Sequence, residues 1–248
     1  LNLYKYLAKF LKIISRLLMI GILGGMGTRA GLDFCNKLAV INRGKIDQKY
    51  PMFILYNKSK IPSRIENLKK YKNVLKSLIA GCKLLQKNKC KFIVMPCNTA
   101  HYWHKDIQKN IKIPILSMPQ EVFLHAKRTC KNNSKIGILC TEATLETKIY
   151  NKYFDKNFRL ISPSKLIQKK NVNKAINFVK MGKVKDAEKT LRPAVNYLLK
   201  MKCKKIILGC TEIPIAIFAY KSFKKVKESK VFIDPNLLLA EISMKKYR

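Results

Sequence analysis

Acidic side chains are scarce in this chain: 14 Asp and Glu stand against 52 Lys and Arg in 248 residues, a formal charge of +38. Such an excess ordinarily points to nucleic acid or an acidic surface, because clustered cations release counterions from phosphate. Here the cations are 44 Lys against 8 Arg, spread along the chain among abundant Ile and Asn. Codon bias in an AT-rich genome produces that profile, so a nucleic-acid partner is not expected. The positive field acts instead on how fast a dianionic substrate is captured. No apolar run reaches the roughly 18 residues of a spanning helix, which argues against a membrane partner. None of the eight cysteines (Cys35, Cys82, Cys90, Cys97, Cys130, Cys140, Cys203 and Cys210) forms Cys-x-x-Cys, which argues against a metal site of the zinc type. Free thiols in this number suit a reducing compartment, the cytoplasm or an organelle interior. Gly-x-Gly-x-x-Gly is missing, and no Gly-Lys-Ser/Thr follows the glycine-rich turn at Gly24, so a nucleotide reading is weak. Ser-rich and Pro-rich linkers are absent, and no lysine motif announces pyridoxal phosphate; no cofactor is expected.

What the chain does contain is one phrase written twice. Lys89-Cys90-Lys91-Phe92-Ile93-Val94-Met95-Pro96-Cys97-Asn98-Thr99-Ala100-His101 returns as Lys202-Cys203-Lys204-Lys205-Ile206-Ile207-Leu208-Gly209-Cys210-Thr211-Glu212. In each copy a short apolar run ends in Pro or Gly and then a cysteine, the pattern of a buried parallel strand that delivers a thiol to its carboxyl end. Upstream, Ile20-Gly21-Ile22-Leu23 recurs as Ile136-Gly137-Ile138-Leu139 at nearly the same offset. Two echoes at one offset indicate two similar halves in tandem, each large enough for its own core. The fold expected is α/β: two pseudo-symmetric, open parallel-sheet domains with the active site in the cleft between them, where ligands sit beyond the strands' carboxyl ends. Two opposed thiols have a specific use. One, as thiolate, removes a proton from carbon, and the other, as thiol, returns one to the opposite face.

At these residues the chain resembles the aspartate/glutamate racemase superfamily, most closely its aspartate racemase branch. The motifs are Gly24-Gly25-Met26-Gly27, Pro96-Cys97-Asn98-Thr99-Ala100-His101 and Gly209-Cys210-Thr211-Glu212, and the likeness runs from about Met19 to Asp234. The resemblance implies a cofactor-independent racemase that interconverts L- and D-aspartate, with Cys97 and Cys210 as the two bases and a homodimer as the default assembly. It implies that Gly25, Met26 and Gly27 line the amino-acid site through their backbone. It also implies that Arg64 of Ile61-Pro62-Ser63-Arg64 meets the substrate's side-chain carboxylate, for which its planar fork is suited. Asn98, Thr99 and Thr211 flank the cysteines, Thr141 and Thr144 supply hydroxyls to the carboxylate or ammonium, and Lys180 is a second cation for the acidic side chain. Three positions depart from the pattern: Thr28 replaces a proline, Ser63 an acidic residue and Cys140 a small residue. Cys140 ends its strand where Gly24 ends its own, a place from which a thiol could reach the cleft, and its reactivity is left open. Glu212 reads as a helix N-terminal residue that complements the dipole.

Other readings are kept beside this one: a racemase of glutamate or other amino acids, a related isomerase or decarboxylase of unaminated dicarboxylates, and a non-enzymatic basic binding protein. A Cys97–His101 nucleophilic dyad would suit a hydrolase but leaves Cys210 unexplained. His101 is therefore read as a supporting residue, and His104 and His125 as structural.

Along the chain, residues 1–18 carry four cations and no acid among apolar residues. An extension before a natural start at Met19 is favoured, ahead of a targeting presequence or a basic amphipathic helix. Residues 19–118 form the first domain and 119–235 the second, and 236–248 a C-terminal helix that packs back on the first. Strands are expected at 19–23, 51–56, 113–117, 135–139, 159–162 and 231–235, and in the two repeated apolar runs that lead to Cys97 and Cys210. Helices are expected at 30–40, 65–86, 121–131, 165–180, 187–201 and 237–244.

Overall fold

The computed structural model describes residues 19–42, 46–64, 66, 68, 70–219 and 230–247. The extension read at residues 1–18 lies outside them. The first half runs β1 (Met19–Gly24), α1 (Thr28–Ile41), β2 (Met52–Asn57), α2 (Tyr71–Lys87) and β3 (Phe92–Val94). The second runs β4 (Lys135–Cys140), β5 (Arg159–Ile161), α4 (Lys174–Lys180), α5 (Val184–Lys200), β6 (Lys205–Gly209), α6 (Glu212–Ala219) and β7 (Phe232–Ile233). Helix α3 (Met118–Thr129) joins the halves, and α7 (Pro235–Tyr247) follows β7.

Every strand pair is parallel, in the order β2-β1-β3 in one sheet and β5-β4-β6-β7 in the other. The first three strands of each half therefore take the same places, as the written repeat requires. β1, β4 and β6 are apolar runs buried on both faces behind their first residue, which is why they read as continuous rather than alternating. The repeated Ile-Gly-Ile-Leu has a packing cause. A Cβ on Gly21 would stand 3.2 Å from that of Leu85 on α2, and one on Gly137 would stand 2.9 Å from Leu198 Cδ1 on α5. In both halves glycine at this position lets the helix that precedes the thiol-bearing strand lie close to the sheet.

Four apolar clusters cover the two faces of the two sheets. α7 belongs to the first sheet: Leu239, Ala240 and Met244 pack with Ile20, Ile22, Phe34 and Leu38. Burial of each such large side chain contributes about 1.5–3 kcal/mol. The turn into α7 is set by Asp234, whose Oδ1 accepts from the backbone N–H of Asn236 (2.9 Å) and Leu237 (3.2 Å). Lys37 of α1 stands 2.8 Å from Asp234 Oδ2.

Two expectations are corrected and a third is refined. The strand at 113–117 reduces to one parallel bridge, Ile93 to Ile115; Pro114 has no N–H with which to extend a ladder, and α3 already begins at Met118. The helix expected from Ile65 starts at Tyr71. The helical stretch 165–180 is divided: a π-type segment, Gln168–Asn173, separates Lys165–Ile167 from α4. Gln168 holds that segment to the end of β4, donating to the Cys140 carbonyl at 2.8 Å.

Candidate active site

Cys97 leaves β3 through Met95 and Pro96, with its N–H bonded to the Met95 carbonyl at 2.7 Å. The chain then tightens into the 3₁₀ turn Thr99–Trp103, and the backbone N–H of Ala100 donates toward the Cys97 thiol. Cys210 leaves β6 directly after Gly209, and α6 begins two residues later at Glu212. Each sulfur thus stands at the carboxyl end of a parallel strand, just ahead of a helical start, and the thiols are only 7% and 8% exposed.

The two cysteines line one cavity of about 40 Å³ between the halves. Of the residues expected at a substrate site, Met26, Arg64, Asn98, Thr99, Thr141, Lys180 and Thr211 stand in its wall. Gly25, Gly27 and Thr144 stand outside it. Gly25 is left-handed (φ 88) and presses on the Lys58–Ser59 backbone. Gly27 faces a neighbouring 520 Å³ cavity that shares Lys180 and Glu212 with the first. Thr144 is one layer back, within 2.8 Å of Thr99 Oγ1 and 3.0 Å of Thr141 Oγ1, and Thr99 and Thr141 are 3.1 Å apart. The three hydroxyls form a closed triangle from one half to the other. Ser63 and Glu212 complete the cavity wall.

Arg64 is held by carbonyls: Nη1 donates to Ile61 (3.2 Å) and Pro62 (3.0 Å), and Nη2 to Met26 (2.9 Å). That leaves Nε–H buried without a partner. Asn98 shows the same arrangement. Its Oδ1 accepts from the hydroxyl of Tyr150, in the second half, while its Nδ2 is buried and unpartnered. The third such atom in the wall is an acceptor, Glu212 Oε1.

Burial raises both thiol pKa values, but the neighbours differ. At Cys97 the guanidinium of Arg64 opposes the rise. At Cys210 the charge of Glu212 and a hydrogen bond to it add to burial, and the pKa stands well above the ordinary range.

Glu212 does more than the sequence reading gave it. It opens α6, as a dipole-complementing residue should, but its side chain folds inward: Oε2 accepts from Cys210 Sγ at 3.1 Å and from Thr211 Oγ1 at 3.3 Å. A carboxylate two residues after a cysteine was the available signal. Cys140 is a correction in the opposite direction. It is fully buried among Ile136, Ile138, Tyr150 and Ile207, and desolvation drives its pKa up, so it is neither in the cleft nor reactive. Tyr150 was missed, and no local signal marks it. His101 supports the site from behind: Nδ1 donates to the Cys97 carbonyl (2.9 Å), and Nε2 accepts from the Met118 N–H (3.1 Å). Desolvation lowers its pKa to about 4, so it stays neutral and is no base for Cys97. Among the described residues no helix is long and apolar enough to cross a membrane.

The decisive likeness is to known sequences: residues 23–242 match the family described as Asp/Glu/Hydantoin racemase. The chain belongs to that family. Aspartate racemase from Picrophilus torridus superposes with a TM-score of 0.80 at 30% identity, covering 93% of this chain and 94% of that one. An aspartate racemase homologue from Pyrococcus horikoshii OT3 gives a TM-score of 0.74 at 22% identity, over 93% of this chain and 99% of that one. The broad specificity amino-acid racemase RacX of Bacillus subtilis is 31% identical over 146 residues, 56% of this chain and 61% of that protein. The chain thus matches about three fifths of that curated relative's length. The family fold is two α/β domains, as observed here.

Proposed function

We propose that this protein racemises an acidic amino acid, aspartate before others, with Cys97 and Cys210 as the two proton carriers and no cofactor. One thiolate takes the α-proton and the opposite thiol gives one to the other face; the roles exchange for the other enantiomer. The observation that carries this reading is the set of unfilled buried polar atoms around the cavity: two donors, Arg64 Nε and Asn98 Nδ2, and one acceptor, Glu212 Oε1. A buried polar group without a partner costs free energy. Two carboxylates and one ammonium, the charges of an acidic amino acid, fill all three. Hydrogen bonds to the α-carboxylate from Asn98 and Thr99 would stabilise the carbanion, and thiols serve as bases because their unperturbed pKa lies nearer neutrality than that of lysine. Lys180, at the cavity mouth, adds a second cation for the side-chain carboxylate.

Glutamate is the second substrate to test, because a further 240 Å³ cavity shares Ser63, Thr141 and Lys180 with the first. A homodimer is part of the same proposal, to be measured by sedimentation. The functional test is proton NMR of L-aspartate and L-glutamate in D₂O with chiral chromatography. Loss of the α-proton signal and appearance of D-enantiomer are expected, and both should vanish in Cys97→Ser and Cys210→Ser. Full activity in both variants refutes the two-thiol mechanism; turnover of maleate or arylmalonate instead assigns a different reaction.

A further inference from the structure

The halves repeat each other, but the surroundings of their two thiols do not, and the difference centres on one side chain. Glu212 is 3% exposed, and Oε2 accepts from both Cys210 Sγ and Thr211 Oγ1. A backbone N–H is directed at each sulfur, that of Ala100 at Cys97 and that of Glu212 at Cys210, and across the cavity Cys97 has the guanidinium of Arg64 nearby. We infer that Glu212 makes the two thiols unequal: its carboxylate keeps the proton on Cys210, so that in the unliganded protein Cys97 is the thiol that ionises first. This rests on the reading of Cys97 and Cys210 as the two bases.

The physical argument is direct. A thiol donates to a carboxylate, whereas a thiolate in the same place loses that bond and meets a like charge. The other groups around Cys210 are Lys180 of α4, Tyr150 of the second half and Cys97 itself. Lys180 acts on both thiols and the charge of Glu212 is felt at both, so the difference rests on the hydrogen bond from Cys210 Sγ to Glu212 Oε2 at 3.1 Å. Tyr150 stays neutral, because burial holds its hydroxyl pKa well above the ordinary value. The assignment also gives each thiol its starting state: Cys97 enters the reaction as the base and Cys210 as the acid. After one proton is taken and the other given, Cys97 carries the proton and Cys210 the charge, and the resting state returns when Cys97 releases its proton and Cys210, beside Glu212, takes one up, with no net gain of protons. Because the two enantiomers have equal free energy, kcat/KM remains the same in both directions. The asymmetry lies in the resting protonation, and kcat and KM shift in parallel.

The test is site-resolved alkylation of the free protein by iodoacetamide near pH 7.5, followed by peptide mass spectrometry at Cys97 and Cys210. In the unsubstituted protein Cys97 should react at least about tenfold faster, since the thiolate is the nucleophile. In Glu212→Gln, Cys210 should speed up by at least about tenfold, because the amide can donate to the thiolate it no longer repels. Glu212→Asp should fall between them. A Cys210 rate unchanged in Glu212→Gln, or a Cys210 that already reacts faster in the unsubstituted protein, overturns the inference. Should Glu212→Gln not fold, the pH dependence of both rates in the unsubstituted protein decides: the Cys210 rate should rise at higher pH than the Cys97 rate, and coincident profiles refute it. No substrate is used, so loss of the racemase reading through inactive turnover would be distinguishable from loss of this one.

Discussion

Tyr150→Phe isolates a contact that ties the halves together and fixes the amide of Asn98 in the cavity wall. Tyr150 is 1% exposed and belongs to the second half, and its hydroxyl donates to Oδ1 of Asn98, next to Cys97 in the first. Because burial keeps that phenol protonated, it is a donor at every working pH, and Asn98 Nδ2 is left buried without a partner. Removing the hydroxyl strands a buried acceptor, at a cost of about 1–3 kcal/mol. For a chain of this size each kcal/mol shifts Tm by about 2–4 °C, so a fall of about 2–12 °C is expected. On the proposal that Asn98 holds the carboxylate of aspartate, freeing its amide should raise KM by about tenfold, the equivalent of about 1.4 kcal/mol. Thermal melting and initial-rate kinetics on the one variant read both effects. A Tm within about 1 °C of the unsubstituted protein together with an unchanged KM would refute the role given to Tyr150.

Gly25→Ala should be the most damaging single methyl in the site loop. The residue is left-handed, which costs a side-chain-bearing residue about 1–2 kcal/mol, and its Cβ would stand 2.3 Å from the Lys58 carbonyl carbon, where no flexible side chain can give way. A urea midpoint lower by at least about 1 M is expected, and a midpoint like that of the parent would contradict the loop geometry. His101 supplies a pH dependence whose sign is fixed. Its folded pKa of about 4 lies below the ordinary 6.5, so the unfolded chain binds the proton first. Its contribution is therefore complete above pH 6.5 and is lost as pH falls toward 4, to a total of about 3 kcal/mol. Urea unfolding between pH 7 and pH 4 should show a shallower loss in His101→Gln than in the parent, and parallel curves would refute it.

The repeat was legible because both halves solve one packing problem with one set of residues. Gly21 and Gly137 admit a helix, the apolar runs at Phe92 and Ile206 are buried on both faces, and each run ends in its cysteine. The strand at 113–117 was overcalled because apolar composition hides the missing donor at Pro114. Cys140 was misplaced for a reason the sequence does contain. Alternate strand residues share a face, and Cys140 is in register with Ile136 and Ile138, which pack in one cluster, whereas Leu139 faces the other. The inward turn of Glu212 and the bond from Tyr150 to Asn98 were not legible, since both depend on how the second half meets the first rather than on local spacing.

The way the chain passes between its halves limits how they can move. Among the described residues it crosses through α3, which has Met118 in a first-sheet cluster and Val122 in a second-sheet one, and again from β7 into α7. These two helices pack on each other, so they act as the paired leaves of a hinge. The opposite edge is fastened by the Thr99–Thr141–Thr144 triangle and the Tyr150–Asn98 bond. Any swing of one half against the other would turn about α3 and α7 and part those hydroxyl contacts. A few hydroxyl contacts, rather than either sheet, set the cost of each swing.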